Sequence, residues 1–124
     1  STKNCCPLQT DNCKLPPMFH IALTMRLKPG KLDGYRRAHD ALWPGIAESM
    51  RKNRVSMAIY HEEGRLTVFA VAPTRKDWER SRESPLLEQW NKAMTEFLEP
   101  DEEGGIAFAA PEKVFGFGEF AEGD

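Results

Sequence analysis

The sequence has no apolar run approaching the ~20 residues that a membrane-spanning helix needs, so it offers no span. It has no excess of either charge: 17 Lys and Arg stand against 19 Asp and Glu, for a net charge of −2. That balance excludes the basic footprint of a nucleic-acid binder, and no Lys/Arg cluster favours an anionic membrane surface. Cysteine is scarce and confined. Cys5, Cys6 and Cys13 all precede the first periodic segment. An odd number with two adjacent fits neither a disulfide framework nor the CxxC spacing of a zinc site. The leading residues also lack the positive-then-apolar plan of a secretory signal. The expectation is a cytoplasmic protein with no metal, nucleic acid or membrane among its partners.

At 124 residues the chain is sized for one domain with a core of its own. Residues 1–17 are polar and end in Pro16-Pro17, a pair that disfavours helix and central strand alike. They read as a flexible leader, with the folded domain over 18–124. From Phe19 to Leu27 apolar and other residues alternate, the period of a strand with one strongly apolar face. A helix follows from about Leu32 to Lys52. Pro44 lies inside it and demands a kink or short break just after His39. Arg54–His61 and Arg65–Ala72 are β-rich runs joined by Glu62-Glu63-Gly64, a hairpin signal. A charged stretch containing Trp78 comes next. Ser84-Pro85 then opens a second helix running to about Leu98, with Ser as cap and Pro in the first turn. An acidic, glycine-containing loop leads to a last strand over Glu112–Phe120.

The order is βαββαβ, and the fold class is α+β: a ferredoxin-like four-stranded antiparallel sheet with two helices on one face. The second sheet face needs cover. Phe19, Ile21, Val68 and Ala70 are expected to supply apolar surface there, and a homodimer pairing sheet to sheet into an α/β barrel closes it economically.

Chemistry concentrates in Tyr35-Arg36-Arg37-Ala38-His39-Asp40-Ala41-Leu42-Trp43-Pro44. Tyr35, His39 and Trp43 recur every four residues and so share one helix face. An imidazole between two aromatic rings suits a small polar ring and a proton transfer on it. An ordinary buried stripe has the same spacing. Spacing alone therefore does not separate a site from a core, and Trp43, next to Pro44, reads as packing. His20 and His61 read as surface or packing residues.

This stretch resembles the Y-x-x-x-H-…-W-P signature of the L-rhamnose mutarotase family. Ala58-Ile59-Tyr60, Gln89-Trp90 with Lys92 and Met94, and Val114-Phe115 match it further, in the same element order from about Phe19 to Phe117. The resemblance implies a small α+β protein that dimerises sheet to sheet and interconverts the α and β anomers of L-rhamnose without cofactor or metal. It implies His39 as proton donor, Tyr35 as a sugar-binding residue, and Trp90 as the first of two adjacent tryptophans contacting the sugar. Two positions depart from the family pattern. Asn91 stands for the second tryptophan, and Met57 for a sugar-binding tyrosine. The loop Glu99-Pro100-Asp101-Glu102-Glu103-Gly104 also replaces an Asn-Pro-Asp-x-Ser-Pro sequence.

Histidine suits mutarotation because a group ionising near neutrality gives and takes a proton at little cost. Trp90 suits the C–H face of a sugar, and Asn91 both donates and accepts. Met57 reads as lining. Two other classes stay open: a non-catalytic sugar-binding module, and a small dimeric α/β-barrel monooxygenase or haem-handling protein.

Overall fold

In the computed structural model, residues 17–121 are described; the rest of the expected leader, its three cysteines and the last three residues lie outside them. The fold is α+β. β1 (Phe19–Arg26), β2 (Ser56–Glu62) and β3 (Arg65–Ala72) form an antiparallel sheet in the order β1-β3-β2. The β2–β3 turn is Glu63-Gly64, with φ of 51° and 83°, the left-handed pair of a type I′ turn whose twist matches its strands. β2 begins at Ser56 rather than at Arg54. Arg54 takes φ of 57° to leave the preceding helix, and the Val55 N–H donates back to the Met50 carbonyl at 2.9 Å.

Register decides which face is core. Val68 lies opposite Leu23 and Ile59, and Leu66 opposite Met25. These side chains pack with Tyr35, Ile46, Trp90 and Met94 in one cluster under the helices. The expectation that Phe19, Ile21, Val68 and Ala70 cover the open face is therefore corrected. Phe19, Val68 and Ala70 are buried and Phe19 stacks on Trp78 at 5.9 Å; Ile21 pairs with Ala70 on the same side. With a side-chain period of two, the helices claim the larger apolar set and leave the alternate residues outside. That outer face carries His20, Ala22, Thr24, Ala58, Tyr60 and Phe69. Phe120 covers part of it, its ring 4.9 Å from His20 and 5.6 Å from Phe69.

The long helix divides where proline requires. α1 (Leu32–Asp40) ends just after His39, and α2 (Pro44–Lys52) starts on Pro44 itself. At that position the missing N–H costs nothing, and Trp43 before it is extended at φ −60°, ψ 131°. The charged stretch, for which the sequence suggests no element, forms α3 (Arg75–Ser81). Thr74 caps its start: Oγ1 accepts from the Asp77 N–H at 3.1 Å and donates to the Asp77 carboxylate at 2.8 Å. Arg80 pairs with the same carboxylate from the next turn. α4 (Pro85–Met94) is capped by Ser84 and stops short of Leu98. The chain leaves helical geometry there to bond along the end of β1, with Lys28 N–H to Phe97 O and Glu99 N–H to Arg26 O both at 2.8 Å.

The expected fourth strand is also corrected. Beside the middle of β1, Thr24 and Ala109 exchange backbone bonds at 2.8 and 2.9 Å, an isolated bridge rather than a strand. Residues 112–117 join no strand among the described residues, and a 3-10 turn over Gly118–Phe120 follows. Pro111 lacks a donor, and the ladder does not continue past it. No helix among the described residues is long and apolar enough to cross a membrane.

The Thr74 hydroxyl, with Arg80 behind it, holds the Asp77 carboxyl below its ordinary range. Such a depressed acid stabilises the fold above the unfolded-state value of about 4 and stops doing so as pH falls through the native value. Replacing Thr74 with Ala should cost about 1 kcal/mol in urea unfolding at pH 7. The gap to the parent protein should narrow below about pH 4, and a gap that stays constant into acid would contradict the linkage.

Candidate active site

Between the inner sheet face and the helices lies a cavity of about 240 Å³. Drug-sized ligands use roughly 300–1,000 Å³, so this space suits one small ring. β1, β2 and β3 contribute Leu23, Met57, Ile59 and Val68, and the helices close it with Tyr35, His39, Trp78, Arg82, Trp90 and Asn91. Among the described residues no Asp or Glu lines it. A neighbouring recess of about 380 Å³ shares Tyr35, His39 and Met57.

The ends of α1 and α4 set the polar groups. His39 lies one turn after Tyr35, and its Nδ1 is 2.9 Å from the Tyr35 carbonyl oxygen. A carbonyl only accepts, so Nδ1 carries the hydrogen in this bond and Nε2 is left for chemistry. The imidazole is boxed by rings: Tyr35 at 4.2 Å, tilted 39°, and Trp90 at 5.1 Å, edge-on at 83°. Trp43 meets Trp90 edge-on at 5.2 Å, from outside the cavity lining.

Tyr35 is buried, and Phe97 stands edge-on to its ring at 6.3 Å. Gly34 allows that approach, since a Cβ there would lie 2.7 Å from the Phe97 ring. Burial pushes the Tyr35 phenol up to about 12, because desolvation disfavours the phenolate. Tyr35 is thus a neutral hydroxyl at physiological pH, without a protein hydrogen-bond partner among the described residues. The Asn91 carboxamide is likewise without one. Met57, on β2, lines the cavity with its thioether.

The structure thus brings all five residues named from the sequence, His39, Tyr35, Trp90, Asn91 and Met57, to one cavity. It adds Trp78 and Arg82, which sequence reasoning missed. The cap signal Thr74-x-x-Asp77 was available: it starts a short helix that carries Trp78, with Arg82 one turn further on at its C-cap. Among the described residues no cluster of His, Cys, Asp and Glu is placed to hold a metal ion.

The family model for L-rhamnose mutarotase matches residues 20–117. The chain belongs to the L-rhamnose mutarotase family. L-rhamnose mutarotases of Burkholderia orbicola and Burkholderia ambifaria are 33% and 34% identical to it over 101 residues, 79% of this chain and 97% of each relative. The crystal structure of the L-rhamnose mutarotase from Formosa agariphila superposes with a TM-score of 0.65 at 22% identity, covering 79% of this chain and 97% of that one. An antibiotic biosynthesis monooxygenase superposes at 0.53 with 10% identity over 77% and 97%. At that identity the likeness is one of fold alone, and the mutarotase family is the one that sequence and fold both reach.

The chain has two tyrosines. With Tyr60 replaced by phenylalanine, absorbance titration should show the remaining phenol ionising only as pH approaches about 12. A raised native value stabilises the fold fully below the unfolded value of about 10 and is lost above it. Alkaline unfolding should therefore be milder in a Tyr35→Phe variant, and ionisation of Tyr35 near 10 in the folded protein would contradict its burial.

Proposed function

We propose that this chain is an aldose mutarotase that interconverts the α and β anomers of L-rhamnose or a related 6-deoxyhexose. The observation that carries the reading is an imidazole in an apolar cavity with Nδ1 engaged by the Tyr35 carbonyl and Nε2 left to work. Protonated Nε2 gives its proton to the ring oxygen as the bond from that oxygen to the anomeric carbon breaks. The anomeric hydroxyl gives its proton to solvent water as the carbon becomes an aldehyde. Rotation about the bond between C1 and C2 presents the other carbonyl face; the C5 hydroxyl adds to it and returns its proton to Nε2, while the carbonyl oxygen takes a proton from solvent water. No nucleophile, metal or cofactor is required for that sequence.

Tyr35 donates from its neutral hydroxyl to a sugar oxygen, and Trp90 offers an apolar wall with an N–H handle. Asn91 supplies hydrogen bonds where a second tryptophan would supply a ring. Met57 shapes the β2 side of the cavity without hydrogen-bonding strongly. A cytoplasmic setting belongs to the same reading.

The reading includes a homodimer closed sheet to sheet into an α/β barrel. Tyr60 is 66% exposed on the outer face, and Val114, Phe115 and Phe117 are 90, 79 and 80% exposed along the extended segment. His20 Nε2 beside them is buried without a hydrogen-bond partner among the described residues. A second copy would cover this surface, and segment 112–117 would become the fourth strand against the partner's sheet.

Anomer exchange of L-rhamnose by saturation-transfer NMR should be accelerated by the protein. His39→Ala should lose most of that acceleration, on the order of 10²–10⁴-fold; an undiminished rate would remove His39 from the chemistry. Sedimentation should give a dimer that Phe115→Asp with Phe117→Asp converts to monomer, and a parent protein that sediments as a monomer would end the barrel reading.

A further inference from the structure

We infer that Arg82 gives the cavity a second substrate class, hexuronic acids, whose exocyclic carbon is a carboxylate rather than a methyl group. The inference rests on the mutarotase reading for its reaction and on Arg82 for its substrate.

Arg82 follows α3 directly and lines the same cavity as His39. Its guanidinium carbon lies 4.4 Å from the centre of the Trp78 ring, and its Nε donates to Ser81 Oγ at 3.2 Å. Stacking occupies the face of the guanidinium and leaves the N–H groups at its edge. Among the described residues no carboxylate takes those hydrogens; Arg51 and Arg80, by contrast, have Glu48 and Asp77. Burial pushes the Arg82 guanidinium below its ordinary range with no carboxylate opposing the shift.

A half-buried cation in a cavity without acidic lining lacks a counter-ion, and burying a charge unpaired is unfavourable. Covering Trp78 requires only an aliphatic stem or any cation. A planar fork with free edge donors matches a carboxylate in two-pronged geometry. The methyl group of a 6-deoxyhexose offers that fork nothing, whereas a carboxylate on the same carbon completes the pair. The reaction is unchanged, because ring opening involves the ring oxygen and anomeric carbon, and the carboxylate takes no part. A phosphate would also present anionic oxygens to the fork, but a space of about 240 Å³ favours the smaller group.

The test is anomer exchange by NMR over buffer rates with L-rhamnose, L-mannose and L-mannuronate, which differ only in carrying methyl, hydroxymethyl or carboxylate, together with L-mannose 6-phosphate. L-Mannuronate should be accelerated more than L-mannose. Arg82→Met should lower the ratio of kcat/KM for L-mannuronate over L-rhamnose by about 10- to 100-fold, the range for a charge-assisted hydrogen bond, and Arg82→Lys should restore part of it. A merely structural role would leave that ratio unmoved and so overturn the assignment. Acceleration of L-rhamnose without L-mannuronate overturns the inference and leaves the mutarotase reading intact. Acceleration of none of the four overturns both, and a preference for the 6-phosphate overturns the carboxylate. Should Arg82→Met fail to fold, the comparison of sugars on the parent protein and the Arg82→Lys ratio still decide.

Discussion

Trp90 stands edge-on to two rings at once, 83° from His39 and 86° from Trp43. Rings crossed in this way make a stable contact without lying flat on one another, so the helices that carry them are held apart rather than drawn shut. α1, the link before Pro44 and α4 meet at this one side chain. The imidazole consequently keeps one side on protein and another on the cavity. Proline-forced division of the long helix is the condition for it, since the extended Trp43 is what brings the second indole to Trp90 from outside the lining.

The cavity is unusual in its polarity more than its size. Apolar walls from β1, β2 and β3 surround a few polar groups, and none of these groups is an acid. In such a space each hydrogen bond to a ligand counts for more than it would in water. Tyr35 is held neutral by burial, His39 has one nitrogen committed to the backbone, and Asn91 has no protein partner among the described residues. The neutral Tyr35 and Asn91 beside the imidazole suit a reaction that moves protons and leaves no net charge behind, with the Arg82 cation set apart on Trp78.

The sheet serves the site on its inner face and leaves its outer face incompletely covered. β3 sits in the centre, so its alternation assigns both neighbours their inward residues. The same register that buries Val68 and Leu66 puts Phe69 outside, where the rings of Phe120 and His20 lie against it. Exposed Phe115 and Phe117 extend that apolar surface beyond the sheet.

Local chemistry was legible in the sequence wherever a single residue type dictates a conformation. Pro44 forces a helix start, Glu63-Gly64 a tight hairpin, and Ser84 a cap. The four-residue spacing of Tyr35 and His39 places both on one side of a turn before any packing is known. The family motif added what each residue implies. What the sequence left open were properties of distance and sidedness. Alternation along β1 and β3 shows that each strand has an apolar face, but not whether helices or a second sheet take it; register against β2 and the helix packing decide that. Segment 112–117 reads as a strand by pattern, yet pairing needs a neighbour, and within this chain the ladder beside β1 ends at Ala109. Arg82 sat in a charged stretch for which the sequence suggested no element. Its contact with Trp78 is local, but only the tertiary fold brings the pair to the cavity of His39, because solvation and counter-ions are settled by neighbours distant in the chain.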